Sequence, residues 1–219
     1  MAPRSYRVSA TPFVIFAQLI TVAVITLVLV WLLHFQKGFS FKSDERSKLF
    51  NLHPFLMVIG LIVIGGQAIM AYKSIPAKRK TRKGVHLVLH LTAFLSGILG
   101  IYVIFKYKKE EGAQNFLTLH SWLGITTVSL YGLQFVSGFF AYFFPGAEWT
   151  ARATLLPWHI FVGMVIFFFA MVNAEIGLSG FSQTVSSFSE RYIVNFTGLL
   201  ILLYAISVTF VVILPGPYQ

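Results

Sequence analysis

The chain has 219 residues, 57% of them hydrophobic and 11% charged, with a formal net charge of +10 and a mean hydropathy of +0.77. Soluble domains average about 25% charged residues, so this composition excludes a soluble globular protein. The absence of Cys further excludes disulfides, thiolate-ligated haem and cysteine-bound iron–sulfur clusters.

Six apolar runs of about 20 residues predict transmembrane helices, near 13–33, 52–72, 85–105, 117–144, 156–178 and 193–214. Little lies outside them, so residues 1–219 read as a single all-α integral membrane domain without a soluble appendage. The first run is long enough to stay as an anchor rather than a cleaved signal. The basic residues flank the helices, which points to the lipid surface and not to nucleic acid. The N-terminal segment carries Arg4 and Arg7 and no acid. The second connection holds Lys78, Arg79, Lys80, Arg82 and Lys83. Clustered Lys and Arg beside membrane helices mark the cytoplasmic face, and an even number of spans places both termini there.

The first helix has no histidine in its interior; His34 sits at its outer end as an interfacial residue. The loop after it mixes Lys37, Lys42, Arg46 and Lys48 with Asp44 and Glu45. The second helix opens on Asn51-Leu52-His53-Pro54, where proline is tolerated in a first turn, and passes Gly60, Gly65 and Gly66 on its way to Tyr72 and Lys73. Such small residues allow close helix contact or leave room for a flat macrocycle. The basic stretch leads through Gly84 into the third helix, with His86 in its first turn and His90 one turn deeper on the same face. Gly97 and Gly100 follow, then Lys106 and Tyr107 at the outer end. The fourth helix begins around Asn115, Phe116, Leu117 and Thr118, with His120 near the outer surface, then Gln134 and the small pair Ser137 and Gly138. The fifth follows Arg152 and Pro157 and has His159 close to its inner start. The sixth has no histidine and reads as scaffold.

Four histidines thus sit one per helix on a central four-helix group, two near each surface. His53 and His120 start helices that descend from the outer side; His86 and His159 start helices that ascend from the inner side. Polar groups inside a bilayer are costly and tend to be functional. Two imidazoles can fill both axial positions of a haem iron, which leaves no open site for oxygen and favours electron transfer. A six-helix transporter using the same histidines as a proton relay or a transition-metal site is the alternative that the pattern leaves open.

The motifs go further. FNLHP at 50–54, KGVHLVLH at 83–90, LTLHSWLG at 117–124, FFPGA at 143–147 and Ala151-Arg152-Ala153 before Pro157-Trp158-His159 resemble the cytochrome b-561 family, in order over the central four helices. The resemblance implies a six-helix, dimeric membrane protein whose central bundle holds two b haems. It implies an ascorbate-dependent oxidoreductase that oxidises cytosolic ascorbate and passes electrons across the membrane to monodehydroascorbate or a ferric chelate. It implies His53 and His120 as ligands of the outer haem, His86 and His159 as ligands of the inner one, and His90 as a non-ligand. Lys73 and Arg79 match positions near the inner haem, and Asn115, Phe116, Leu117 and Thr118 a segment at the outer haem edge. Arg79, Lys83 and Arg152 match the ascorbate pocket, and Lys106 and Tyr107 stand where an outer acceptor would dock. Some relatives carry a histidine in that outer loop; this chain has Lys108. Lys78, Lys80 and Arg82 are expected to face only headgroups or water. Phe94, Tyr131, Phe135 and Phe140 are expected as apolar packing between the two centres.

Overall fold

Apolar side chains dominate the long helices, but polar residues start them. Thr118 caps one helix by accepting from the Ser121 amide at 3.3 Å. Ser187 and Glu190 have capping-box spacing, and the Ser187 hydroxyl accepts from the Glu190 amide, which satisfies an otherwise orphaned donor. The computed structural model describes residues 9–42 and 46–216; Arg4, Arg7, Asp44 and Glu45 lie outside the described residues. Six helices are long and apolar enough to cross a membrane: α1 (Thr11–Phe35), α2 (Arg46–Ser74), α3 (Arg79–Glu110), α4 (Leu119–Tyr142), α5 (Trp149–Thr184) and α6 (Phe188–Ile213). No strand occurs among the described residues.

Several helices outrun the apolar stretches that predicted them. α2 begins at Arg46, α3 at Arg79 and α5 at Trp149, so Pro54 and Pro157 lie inside helices. His53, His86 and His159 therefore sit about two to three turns in from the helix starts, so His86 is not in a first turn as its place after the basic stretch suggested. Hydropathy marks the part of a helix that needs lipid; polar residues extend it into the interface. The basic stretch likewise is mostly the opening of α3 and not a loop. Arg82 does more than meet water: its guanidinium donates to the Tyr72 carbonyl at 2.6 Å, fastening the start of α3 to the end of α2.

Helices α2, α3, α4 and α5 pack in sequence, and α2 also meets α5, closing a four-helix group; α1 and α6 pair along one flank. The Ala10 amide donates to the Pro215 carbonyl at 3.0 Å. This face, with the start of α1 and the end of α6, is called the terminal face below. At the opposite face the Glu190 carboxylate, buried at the start of α6, accepts from Trp31 Nε1 at 3.1 Å and Gln36 Nε2 at 2.5 Å. A buried acid is costly unless paired or hydrogen-bonded; here two donors from α1 and its following turn hold it at a helix N-terminus, where negative charge is favoured.

The protein core lies between α1, α2 and α6, around Trp31, Ile62, Met70, Ile201 and Tyr204. Within α2 the turns of Leu56–Val63 are π-helical, downstream of the amide hydrogen that Pro54 lacks. The Tyr204 hydroxyl donates to the Val63 carbonyl at 2.9 Å, and Gly66 makes room for that ring: a Cβ there would meet the Tyr204 oxygen at 2.5 Å. Gly66→Ala must displace a buried, hydrogen-bonded tyrosine and is expected to destabilise by about 1–3 kcal/mol. Tyr204→Phe should cost about 1 kcal/mol. Thermal unfolding in detergent measures both, and wild-type stability in Gly66→Ala would mean that α2 and α6 do not meet at this level.

Candidate functional site: two interhelical histidine pairs

The closed group brings the four histidines together two by two. His53 of α2 faces His120 of α4 with ring centres 6.1 Å apart, near the opposite face. His86 of α3 faces His159 of α5 at 6.3 Å, near the terminal face. Two imidazoles sharing one metal, with metal–nitrogen bonds of about 2 Å and roughly 1 Å from nitrogen to ring centre, require about this separation. Among the described residues no group of three or more His, Cys, Asp or Glu could hold a metal; each site offers two imidazoles, the number that fills the axial positions of a macrocycle-bound iron.

Hydrogen bonds at Nδ1 orient the rings. His53 Nδ1 lies 3.0 Å from the Gly100 carbonyl of α3, His86 Nδ1 2.8 Å from the Ala68 carbonyl of α2, and His120 Nδ1 3.0 Å from the Asn173 carbonyl of α5. A proton on Nδ1 leaves Nε2 with its lone pair, which is the tautomer that ligates through Nε2. His159 differs. Its Nδ1 lies 3.0 Å from Nε2 of the Gln134 side chain, which also donates to the His159 carbonyl at 2.7 Å.

Two glycines admit the rings. A Cβ on Gly177 would meet His120 Cε1 at 2.8 Å, and one on Gly138 would meet His159 Cε1 at 2.9 Å. A cavity of about 760 Å³ adjoins His53 and His120, within the range of cofactor sites. Its walls include Met57, Phe105, Phe116, Thr118, Asn173 and Gly177. The Asn173 Oδ1 atom is buried there without a hydrogen-bond partner.

The other sequence-predicted residues divide. Phe116 and Thr118 line the cavity, and Phe116 takes a left-handed φ of 60° that puts its ring beside Phe105 and Trp122. A bulky residue in that region is strained, and strain of this kind gathers at ligand clamps. Leu117 points outward, 71% exposed, and Asn115 is exposed and outside the cavity wall. Tyr107 lines the cavity. Lys106 does not: its ammonium donates to the Phe41 carbonyl at 2.8 Å and faces Glu110 at 3.9 Å, so the cation on the cavity wall is Lys108. Lys73, expected beside a cofactor, instead caps α6 by donating to the Val212 and Leu214 carbonyls at 2.7 and 2.6 Å, because a helix C-terminus offers unpaired carbonyls. Arg79 is exposed. His34 is exposed and packs edge-on to Phe35. His90 leans its ring on His86 at 4.4 Å and its Nδ1 bonds to the Tyr131 hydroxyl at 2.5 Å. Phe94 stacks on Tyr131 and Phe135 between the two centres.

At the terminal face, Lys83 lies over the Phe143 ring at 5.7 Å. Next to Phe143, the Tyr142 ring stands 5.2 Å from that of His159. The Tyr142 hydroxyl and Arg152 Nε are both buried without a hydrogen-bond partner. A buried donor left without a partner calls for an explanation, and a bound ligand is one. The sequence reading missed Tyr142, Asn173, Gly177 and the use of Gln134; Tyr142 was within its reach, immediately before the FFPGA motif at the end of α4.

Six membrane helices enclosing two paired, pre-oriented imidazole sites define a membrane redox protein. Comparison with known proteins agrees and narrows it. The family model of eukaryotic cytochrome b561 matches residues 52–185. The chain is 43% identical over 95% of its length to a probable ascorbate-specific transmembrane electron transporter 1 of Oryza sativa subsp. japonica, 92% of which is covered. It is 40% identical over 81% of its length to transmembrane ascorbate ferrireductase 2 of Arabidopsis thaliana (80% covered), and 34% identical over 91% to a transmembrane ascorbate-dependent reductase of Mus musculus (81% covered). The chain belongs to the eukaryotic cytochrome b561 family. Membership implies haem b, and the residues present fit it: facing imidazoles at metal-sharing separation, carbonyl partners at Nδ1 of three rings that leave their Nε2 available, and glycines where a Cβ would strike the rings.

Gly177→Ala and Gly138→Ala should each lower haem per protein in a pyridine haemochrome assay, because the methyl pushes an imidazole out of line. Gly84→Ala, whose Cβ has open space around it, should keep the wild-type content. Unchanged haem in both of the first two would show that these rings do not hold it.

Proposed function

We propose that this protein moves electrons from ascorbate at the terminal face, through two bis-histidine b haems, to an acceptor at the opposite face. It is a transmembrane ascorbate-dependent oxidoreductase of its family. The observation that carries the two-centre reading is the presence of two imidazole pairs at opposite ends of one four-helix group. On α3, His86 and the Gly100 carbonyl that receives His53 are fourteen positions apart, or roughly 20 Å along the axis. Haem supplies a reversible one-electron carrier at each pair.

The terminal face carries the Lys78–Lys83 cluster, which supports a cytosolic assignment for it and for both termini. Ascorbate at neutral pH is a monoanion. Lys83, Arg152 and the Tyr142 hydroxyl would receive its enolate and hydroxyl oxygens, and charge-assisted bonds both hold the anion and favour its deprotonated form. Each turnover then releases one electron and one proton from ascorbate and leaves the monodehydroascorbate radical. At the opposite face Tyr107 and Lys108 flank the mouth of the cavity. A ferric chelate accepting one electron there becomes ferrous; monodehydroascorbate accepting one electron and one proton becomes ascorbate. Among the relatives, the Arabidopsis protein is named a ferrireductase, which favours the ferric acceptor.

His53→Ala or His120→Ala should remove one haem, and His86→Ala or His159→Ala the other, while His90→Ala keeps both. Two haems in His86→Ala together with one in His90→Ala would reverse the assignment on α3. Lys83→Ala and Arg152→Ala each remove contacts worth roughly 1.5–3 kcal/mol, or about ten- to a hundredfold in ascorbate-driven reduction rate, with haem content intact. Reduction by dithionite, which needs no pocket, should persist. Wild-type rates with ascorbate would refute this pocket.

A further inference from the structure

The four hydrogen bonds on the histidines form a repeat with one exception. In the α2–α3 hairpin, each helix carries a histidine near its start and a partner for the other helix's histidine further along: His53 bonds to Gly100 of α3, and His86 to Ala68 of α2. The α4–α5 hairpin does the same: His120 bonds to Asn173 of α5, and His159 to Gln134 of α4. From histidine to partner on the same helix the spacing is 15 positions for His53 to Ala68 and 14 for His86 to Gly100, His120 to Gln134 and His159 to Asn173. Three partners are backbone carbonyls. The fourth, at the equivalent position, is a side chain.

The difference has chemical content. A helix carbonyl has a fixed orientation and can only accept. A carboxamide carries an acceptor oxygen and a donor nitrogen on one rotatable group. Its nitrogen stands 3.0 Å from His159 Nδ1, which is the contact for an imidazole protonated at Nε2. Ligation through Nε2 requires the proton on Nδ1, and a half-turn of the amide then presents Oε1 as its acceptor. Serving both tautomers is open to this one partner of the four. Gly163 faces the amide, the nearest atom to a Cβ there being this same Nε2 at 3.5 Å; the turn gives up the bond from Nε2 to the His159 carbonyl at 2.7 Å.

We infer that Gln134 is a positioning residue that sets the electronic character of the terminal-face centre through His159, and that this makes the two centres unequal. The inference rests on the reading of His159 as a haem ligand. A stronger acceptor at Nδ1–H pushes electron density onto the imidazole and stabilises the oxidised metal; loss of the acceptor does the reverse.

The test is a spectroelectrochemical titration of purified two-haem protein with low-temperature EPR, on wild type, Gln134→Leu and Gln134→Glu. The expected result is a midpoint shift confined to one of the two haems, upward in Leu and downward in Glu, with the EPR signal of that haem alone displaced. His159→Ala identifies which haem is involved. If His159→Ala keeps both haems, the ligand reading fails. If it loses one but both Gln134 variants leave potentials and EPR unmoved, the ligand reading stands and this inference is overturned. Shifts of the same sign in Leu and Glu, equal shifts in both haems, or loss of the terminal-face haem in both variants would make Gln134 a packing residue only, and also overturn it.

Discussion

An imidazole inside a bilayer has two nitrogens to satisfy and no water to do it. That requirement, met at Nδ1 by a group on the neighbouring helix, fixes where each of the four rings points. A helix carbonyl can serve because it keeps a second lone pair after accepting its own helical hydrogen bond; no helix has to break. What it does require is close approach. Gly100 and Ala68 are small, and a Cβ on Gly100 would meet Met57 Cε at 2.8 Å, so α2 and α3 cross tightly enough for His53 to reach the backbone. The glycines therefore serve two ends. Gly60, Gly66 and Gly100 bring helices together, while Gly138 and Gly177 make room for the ligating rings themselves.

The basic residues sort by a similar logic. A cation near a helix end will take unpaired carbonyls when they are within reach, as Lys73 does at the end of α6, Arg82 at the end of α2, and Arg191 by donating to the Val185 carbonyl at 2.7 Å. These ties hold helix ends in place and make the residue an element of the fold. Lys83 and Arg152 are different: one lies over the Phe143 ring, and the other has its Nε buried without a partner. A pocket for a small anion needs charge that the fold has not already neutralised, and at the terminal face it is found beside His159.

How much of this was legible in the chain follows from what a sequence records. The six spans were, because apolar runs are a composition signal. The grouping of two histidines near each surface was, because helix starts alternate between faces; the choice of His86 over His90 rested on the family motif alone. The helix ends were not: Arg46, Arg79 and Trp149 extend helices into polar territory where hydropathy is silent. The partners of the histidines were not either, for a more basic reason. A backbone carbonyl leaves no trace in residue identity, so nothing about Ala68 or Asn173 announces it. Gln134 could be noticed as a polar residue in a span, but its task is visible only against the three carbonyls it replaces. Nor were the carbonyls that Lys73 and Lys106 meet legible, because proximity in sequence to a site says nothing about the acceptors within reach of an ammonium.

The repeat of histidine and partner also ties the two ends of the protein to each other. Each central helix contributes one of the paired imidazoles at one face and a partner for another ring at the other face, so α3 cannot slide along α2 without moving His86 off Ala68 and His53 off Gly100 at once. The same holds for α4 and α5. A displacement of one turn, about 5.4 Å, would break both hydrogen bonds of a hairpin and carry both rings out of register with their mates across the group. The separation of the two centres is thus set by covalent helix rise, and their orientation by short hydrogen bonds. Electron transfer depends steeply on both, and this architecture fixes them by contacts inside the four-helix group.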